Sequence, residues 1–297
     1  MSNYRIGIDL GGTKIESILL GPDKNEIYRK RVPTPAGNNY DQILNSVHGL
    51  IQGTVTRIPD MRDFSVGIGI PGAMNFRTGL IHNANTTGLI GKPFKADLEM
   101  LCGRTIAMEN DANCFTLIES LQGAAKGYGT VFGIIMGTGC GGGICINNKV
   151  WTGFNGIAGE WGHFSIDPCG QPCYCGNKGC IETKISGPAV EKRFFDLFAR
   201  KLKMKEIVAG YRKGDKDCKQ VFLQFLDDFG RALGGLISVL DPDVVVIGGG
   251  LSNIDELYTK GAEQVKKYAF HKKIETPILR NALGDSSGVI GAALLTQ

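Results

Sequence analysis

The sequence predicts an α/β protein with a mainly parallel sheet and two domains. Short apolar segments alternate with segments of helical periodicity, which is the pattern of parallel strands joined by crossover helices. Glycine-rich turns follow several of the apolar segments, and one arrangement of strand, glycine turn and strand occurs twice. A chain of 297 residues is long enough for two domains, and its 43 glycines are about twice the usual share of roughly 7%.

The first half of the chain contains both copies of this arrangement. RIGIDLGGTKIESILLG places two apolar strands around a tight turn at Gly11 and Gly12, which predicts a hairpin. DQILNSVHGLIQGTV has helical spacing, SVGIGIPG is β-rich and ends in a Pro-Gly turn, and in AMENDANCFTLIESLQGAA a strand ends at Glu109 and a helix begins at Asp111. Residues 131–151 repeat the hairpin and add an Asn-Asn turn.

The second half is mostly helical after residue 184. KQVFLQFLDDFGRALGGLISVLDP carries one apolar stripe and predicts a long helix ended by Pro242. DVVVIGGG is a buried strand running into three glycines, a further helix is expected from about Ile254, and GDSSGVIGAALLTQ predicts a short terminal helix. No linker, repeat or low-complexity segment separates the two domains.

Composition excludes several classes of function. The formal charge of +4 is small, and no run of Lys and Arg interleaved with aromatic residues suggests a nucleic-acid partner. The amino terminus lacks a cationic stretch followed by an apolar segment, and nowhere do ~18 apolar residues run together. We therefore expect a cytoplasmic protein that neither spans nor binds a membrane.

A cysteine cluster predicts a metal site. In GEWGHFSIDPCGQPCYCGNKGCIET, the residues His163, Cys173, Cys175 and Cys180 follow the spacing H-x9-C-x-C-x4-C, a Cys₃His set typical of structural zinc. The odd total of nine cysteines and a reducing compartment argue against disulfides. Four protein ligands leave no open position for a substrate, so the metal is expected to be structural. Cys169 is surplus, either a thiol outside the site or an alternative ligand.

Glycine turns that follow strands predict phosphate binding, because successive N–H groups in such turns can form a concave anion site. Three such turns occur, at residues 11–12, 137–143 and 248–250. No G-x-x-x-x-G-K-[ST] occurs, which excludes a P-loop. A G-x-G-x-x-G match at 137–142 is followed by a strand rather than a helix, which disfavours a dinucleotide site.

Two aspartates stand where such a site needs carboxylates. Asp9 ends its strand just before the first glycine turn, where it can hold Mg²⁺ through water or simply cap the turn. Asp111 begins a helix, where an Asp is most often an N-cap but can also accept the proton of a hydroxyl in phosphoryl transfer. From the residues alone, both alternatives stay open.

The motifs IGIDLGGTK, GIGIPG, ENDANC, GTGCGGG, GEWGH, CYCGNKGCIE and DPDVVVIGGG occur in the order found in the ROK family of bacterial sugar kinases and repressors, which the chain resembles over essentially its whole length. NANTTGLIGKPF and PCYCGNKGCIET look most like the manno(fructo)kinase branch, whereas GIGIPG and DPDVVVIGGGLSN are shared with N-acetylglucosamine kinases. The resemblance implies an actin-like ATPase (ribonuclease H-like) fold with two α/β lobes around a central cleft, and a homodimer. The small lobe is expected at 1–116, completed by a C-terminal helix at about 285–297, and the large lobe with the zinc loop at 117–284.

The resemblance also implies an activity and its residues: phosphorylation of a free hexose at the 6-hydroxyl with ATP and Mg²⁺, and Asp111 as catalytic base. Sugar binding is assigned to Asn110, Glu160, His163, Glu182 and Gly72. Phosphate or nucleoside binding is assigned to Asp9, Gly11, Gly12, Thr13, Lys14, Gly137, Thr138, Gly139, Gly248, Gly249 and Gly250. The family's zinc motif matches His163, Cys173, Cys175 and Cys180.

Fructose, with mannose as a second substrate, is the first expectation, and N-acetylglucosamine or glucose is the alternative. Asn83 and Asn85 are weaker candidates for the same pocket. A non-enzymatic sugar sensor is the rival class, since some ROK members are repressors; those carry an amino-terminal helix-turn-helix, for which the segment before the first strand leaves no room.

Overall fold

The computed structural model describes residues 4–59, 63–271, 273–284 and 287–296. In chain order the strands are β1 (Tyr4–Leu10), β2 (Lys14–Leu20), β3 (Glu26–Pro33), β4 (Phe64–Ile70), β5 (Ala73–Met74), β6 (Ile81–His82), β7 (Ile106–Asn110), β8 (Thr130–Met136), β9 (Cys140–Ile146), β10 (Lys149–Val150), β11 (Val244–Gly248) and β12 (Ile278–Arg280). The helices are α1 (Tyr40–Val55), α2 (Phe94–Cys102), α3 (Asp111–Leu121), α4 (Glu182–Ile185), α5 (Gly187–Phe198), α6 (Met204–Arg212), α7 (Lys216–Leu240), α8 (Lys260–Tyr268) and α9 (Ser287–Ala293).

The chain forms two compact units. The first comprises Met1–Leu121, Gly143–Ala158 and Ser286–Gln297, and the second Gln122–Gly142 and Gly159–Asp285. The boundaries differ from those expected, because Gly143–Ala158 belongs with the first unit. The reason is close packing on α3, where a Cβ at Gly143 would lie 2.6 Å from the carbonyl oxygen of Ala112. Of the expected terminal helix, residues 285, 286 and 297 lie outside the described residues.

The first unit contains a five-stranded sheet in the order β3-β2-β1-β4-β7. Strands β1 and β2 are antiparallel with Leu10 opposite Ile15, which confirms the predicted hairpin. Strands β1, β4 and β7 run parallel, so their carboxyl ends meet at one edge of the sheet. The sheet is therefore mixed, and its parallel half carries the residues predicted to be functional.

Helix α9 packs on this sheet backbone to backbone. A Cβ at Gly67 of β4 would lie 1.9 Å from the carbonyl oxygen of Ala292, and one at Gly291 would lie 1.9 Å from that of Cys114 in α3. Real Cβ atoms do not approach so closely, so only glycine allows this contact. The apolar side chains Val289, Ala292, Ala293 and Leu294 are at most 1% exposed.

The second five-stranded sheet has the order β10-β9-β8-β11-β12. Strand β11 is parallel to both β8 and β12, and β10 returns antiparallel to β9 after a turn in which Asn147 and Asn148 have φ of 50° and 61°. This confirms the second copy of the arrangement in which a glycine turn joins two strands, and the Asn-Asn turn that follows it.

The helix expected from about Ile254 begins instead at Lys260. The preceding residues form two short 3₁₀ segments, Gly250–Asn253 and Asp255–Leu257. Their three-residue spacing resembles the α-helical period in a short stretch of sequence, which explains the error. Helix α7 ends at Leu240 with Asp241 in the left-handed region at φ 45°, two residues before Pro242.

Among the described residues, no helix combines the length and the apolar character that a bilayer span requires.

Candidate active site and metal centre

In the first unit, the functional candidates lie at the carboxyl edge of the parallel strands. Asp9 is paired in register with Gly69 of β4, and Gly69 with Glu109 of β7. Asn110 ends β7 and Asp111 begins α3 directly after it. Ligand sites in α/β proteins form at this edge, because loops and helix amino termini converge there.

The Gly11–Gly12 turn is fixed by hydrogen bonds on both sides. The N–H of Gly11 donates to the carbonyl oxygen of Lys14 at 2.9 Å, and the N–H of Thr34 donates to that of Thr13 at 3.0 Å. The hydroxyl of Thr34 donates to the carbonyl oxygen of Gly11 at 2.7 Å. Gly12 and Thr13 remain exposed, so a rigid loop presents them to solvent. Thr34 was not predicted, because nothing in the local sequence links it to a turn 23 residues earlier.

Burial and charges of both signs act on the Asp9 carboxyl, and its pKa is raised overall. Burial, followed by the nearby Glu16 carboxylate, raises the pKa of Asp9, while Lys14 and Arg31 lower it. The ammonium group of Lys14 lies 3.9 Å from Glu16, so in this structure its ion-pair partner is a carboxylate. A divalent cation near Asp9 would favour the ionised form, opposing the effect of burial.

Asn110 connects two parts of this edge. Its side-chain N–H donates to the carbonyl oxygen of Gly72 at 3.1 Å, and its side-chain oxygen accepts from the N–H of Ala112 at 2.8 Å. Asp111 Oδ1 accepts from the same N–H at 2.8 Å. Asn110 therefore shares the capping of α3 with Asp111, a role that the sequence assigned to Asp111 alone.

Of the weaker candidates, Asn85 has its N–H bonded to the carbonyl oxygen of Pro71 at 3.0 Å, and Asn83 adopts a left-handed φ of 54°. The backbone of both residues therefore agrees with the alternative that they are loop residues.

In the second unit, the four predicted zinc ligands come together. One ligand atom from each of His163, Cys173, Cys175 and Cys180 lies within 4.8 Å of the others. The Sγ atoms of Cys175 and Cys180 are 3.6 Å apart, close to the separation of about 3.8 Å that a tetrahedral zinc with Zn–S bonds of about 2.3 Å imposes. All nine cysteines are free thiols, and Cys169 is exposed and outside the cluster. The donor set therefore fits a closed structural zinc site.

The two ring nitrogens of His163 face different partners. Nδ1 lies 3.5 Å from Cys173 Sγ, while Nε2 lies 2.9 Å from the hydroxyl of Tyr174. The two rings meet edge to face at a centroid distance of 5.0 Å. Sequence reasoning missed Tyr174; its place between two metal ligands is the signal that could have pointed to it.

Glu160 and Glu182 flank the metal cluster. Glu182 Oε2 accepts from the N–H of Cys140 at 2.9 Å, which ties the zinc loop to the start of β9. Burial raises the pKa of Glu160; the charge of His163 opposes this effect and that of Glu182 adds to it. Glu182 is thus held by a hydrogen bond, and Glu160 is partly buried.

The loop at 137–139 is positioned by its neighbours in the second unit. The N–H of Gly187, at the start of α5, donates to the carbonyl oxygen of Gly137 at 2.9 Å. Gly249 has a φ of 78°, and a Cβ there would lie 2.5 Å from the carbonyl oxygen of Met136. The two glycine turns and the amino terminus of α5 thus lie together, and a helix amino terminus favours anions. The contribution of α5 was not predicted.

Comparison with known proteins shows the family of this chain. The sequence matches the ROK family over residues 5–297. The chain belongs to the ROK family. An N-acetyl-D-glucosamine kinase from Yersinia pseudotuberculosis serotype O:3 (strain YPIII) is 38% identical over 299 residues, covering 97% of each chain.

Two ROK proteins of known structure share the fold. A ROK hexokinase from Thermus thermophilus has a TM-score of 0.86 and 32% identity, covering 98% of this chain and 97% of its own. A ROK family glucokinase from Streptomyces griseus, solved with glucose and AMPPNP, has a TM-score of 0.79 and 28% identity, covering 98% of both chains. The actin-like ATPase fold predicted from the sequence is confirmed by this likeness.

The expected ROK branch is not supported. The sequence motifs favoured manno(fructo)kinases, but the curated relatives at 36–38% identity are N-acetyl-D-glucosamine kinases. Short motifs in the zinc loop are a weaker guide to substrate than similarity along the whole chain, because substrate choice depends on a few pocket contacts spread over several loops.

Proposed function

We propose that this protein is an ATP- and Mg²⁺-dependent sugar kinase that phosphorylates the 6-hydroxyl of free N-acetylglucosamine. The observation that carries the proposal is the carboxyl edge of β1, β4 and β7, where Asp9 and a rigid glycine turn lie at the end of β1 and Asp111 follows β7. Phosphoryl transfer depends mostly on positioning and charge stabilisation, and these groups supply both.

Asp111 serves as catalytic base in this proposal. Its carboxylate accepts the proton of the sugar 6-hydroxyl as that oxygen attacks the γ-phosphorus and the bond to the β-phosphate oxygen breaks. Asp9 would hold Mg²⁺ through water, and the bound metal would supply positive charge against the charge that develops on the phosphate. Gly11, Gly12, Thr13 and Lys14 contact phosphate oxygens.

The second unit supplies the remaining groups. Glu160, His163 and Glu182 are assigned to sugar hydroxyls. From the family motif, Asn110 and Gly72 have the same assignment. Residues 137–139 bind phosphate, and Gly248, Gly249 and Gly250 lie near the nucleoside. His163, Cys173, Cys175 and Cys180 would hold zinc, which would make rigid the loop that carries Glu160 and Glu182.

N-acetylglucosamine is the first substrate candidate, because relatives that are similar over nearly the whole chain are named N-acetyl-D-glucosamine kinases. Fructose is the second candidate, since the stretches NANTTGLIGKPF and PCYCGNKGCIET resemble manno(fructo)kinases. Homodimerisation is proposed from family resemblance alone.

The test is ADP production by the zinc-loaded protein with ATP and Mg²⁺, across N-acetylglucosamine, fructose, mannose, glucose and N-acetylmannosamine. We expect the highest kcat/KM with N-acetylglucosamine and no turnover with its 6-deoxy analogue, which has no hydroxyl to accept the phosphoryl group. A preference for fructose would overturn the substrate assignment only. Absence of turnover with every sugar, in folded and zinc-loaded protein, would favour a non-enzymatic sugar sensor.

A further inference from the structure

Tyr174 is the residue of the zinc loop to which the proposed function gives no role. It stands between the ligands Cys173 and Cys175, and 64% of its surface is exposed. An exposed tyrosine usually leaves its hydroxyl in water. Here the hydroxyl lies 2.9 Å from Nε2 of His163, and the two rings pack edge to face.

The geometry of His163 decides what this hydrogen bond means. Nδ1 faces the thiol of Cys173 at 3.5 Å, so Nδ1 is the nitrogen available to a metal. A metallated imidazole carries its proton on the other nitrogen. Nε2–H then donates to the hydroxyl of Tyr174. One N–H makes one good hydrogen bond, so Tyr174 and a sugar hydroxyl cannot both receive it.

The surroundings of the Tyr174 hydroxyl resemble those expected for a bound sugar. The carboxylates of Glu182 and Glu160 are among the charges that act on the Tyr174 hydroxyl. A phenol hydroxyl offers one donor and an acceptor, as a sugar hydroxyl does. The same three protein groups, His163, Glu160 and Glu182, are the ones assigned to the sugar.

We propose that Tyr174 is a latch on the sugar site. Its hydroxyl occupies His163 Nε2 in the sugar-free protein, and a hexose binds by displacing it with one of its own hydroxyls. This inference rests on the proposed function, because it requires that a sugar reach His163.

The latch has a measurable effect on affinity. Suppose that a ligand binds only molecules in which an internal interaction is already broken. The apparent Kd then equals the intrinsic Kd divided by the fraction of such molecules. A single hydrogen bond shifts such an equilibrium about two- to tenfold. A sugar with a hydroxyl at the correct position displaces Tyr174 and carries this cost, whereas a sugar without it leaves Tyr174 in place, so the latch lowers affinity only for sugars that present this hydroxyl to His163.

Tyr174→Phe removes the hydroxyl and retains the ring. Binding of N-acetylglucosamine without ATP, measured by calorimetry, should tighten about two- to tenfold, with zinc content and kcat unchanged. Tyr268→Phe is the matched control: it removes another hydroxyl of the second unit, bonded to Asp227 at 2.8 Å, and should leave the Kd unchanged.

Monodeoxy sugars provide the sharper readout. The tightening in Tyr174→Phe should persist for every binding analogue except the one that lacks the hydroxyl facing His163, because that analogue never displaces Tyr174. Unchanged or weaker sugar binding in the zinc-loaded variant overturns the latch. Loss of zinc also overturns it, since Tyr174 would then support the metal ligand. Wild-type protein that binds no hexose refutes the proposed function itself, and the latch with it.

Discussion

At the residue scale, Asp111 carries the chemistry that the proposed function requires. The residue lies at the first turn of α3, where capping alone would explain an aspartate. Asn110 already contributes a side-chain oxygen to the same N–H of Ala112, at 2.8 Å. A helix whose capping is shared in this way does not need Asp111 for capping alone, which favours a second role.

Asp111→Asn should therefore lower kcat by about 10² to 10⁴, the range typical of a lost general base, with sugar affinity and zinc content retained. Asp41→Asn is the matched control, because Asp41 also lies in the first turn of a helix but far from the candidate residues in sequence. Steady-state kinetics and calorimetry on both variants check this. Near-normal turnover in Asp111→Asn would remove Asp111 from the role of base.

Residue types and spacing predicted that four candidate metal ligands come together, but not the contacts around them. The cluster of His163, Cys173, Cys175 and Cys180 could be read from sequence because metal coordination requires particular donors close together in the loop. The hydrogen bonds of Tyr174 and Thr34 could not be predicted from sequence, because they depend on side-chain directions and on strand pairing. The side-chain bonds of Asn110 were missed for the same reason.

At the element scale, we expect the loop that carries the four candidate zinc ligands to depend on a bound metal for its order. Cys175→Ser should lose zinc and weaken sugar binding, because Glu160 and Glu182 stand on the same loop. Cys169→Ser is the control: Cys169 lies in the same loop but is exposed and outside the cluster, so zinc and sugar should both be retained. Metal content and sugar Kd are the measurements. Normal sugar affinity in zinc-free protein would separate the metal from the sugar site.

Helix α9 offers a second test at this scale. Gly291→Ala places a Cβ 1.9 Å from the carbonyl oxygen of Cys114, and such overpacking should destabilise the protein by about 1–3 kcal/mol. Gly288→Ala lies in the same helix with no atom within 4 Å of the added Cβ, and it should be neutral or stabilise by up to about 1 kcal/mol. Urea unfolding of both variants measures the difference. Equal stabilities would show that α9 shifts to accommodate the methyl group.

Elements with strong local signals were predicted correctly. The β1–β2 hairpin follows from two apolar runs around Gly11 and Gly12, and α7 from its long apolar stripe. The start of α8 was wrong because short 3₁₀ turns and an α-helix share a similar spacing. Gly143–Ala158 groups with the first unit through contacts with α3, which sequence periodicity does not report.

At the scale of the whole molecule, Glu109 should make stability depend on pH. Burial raises the pKa of Glu109 from 4.5 to about 7, against the opposing hydrogen bond from Asn113. Between these values the folded state holds a proton that the unfolded state has lost, so the free energy of unfolding falls as pH rises through this window. The slope from this group is at most about 1.4 kcal/mol per pH unit.

Glu109→Gln should remove this contribution, because the amide does not titrate. Relative to wild type, the variant should gain stability between pH 5 and pH 8, as measured by urea unfolding followed by circular dichroism. Asp41→Asn, with an exposed carboxylate, serves as the control and should follow the wild-type curve. Identical pH profiles for Glu109→Gln and wild type would show that the carboxyl is solvated in the native protein.

Helix α9 follows every residue of the second unit in the chain, yet it belongs to the first. During synthesis on the ribosome, the whole second unit is therefore made before α9. Until then, the first unit lacks the helix that packs against the sheet face containing Gly67. Large proteins fold largely unit by unit as they emerge, and incomplete units expose apolar surface. The strands made first are thus the last to have this face covered, since α9 is synthesised after the whole second unit.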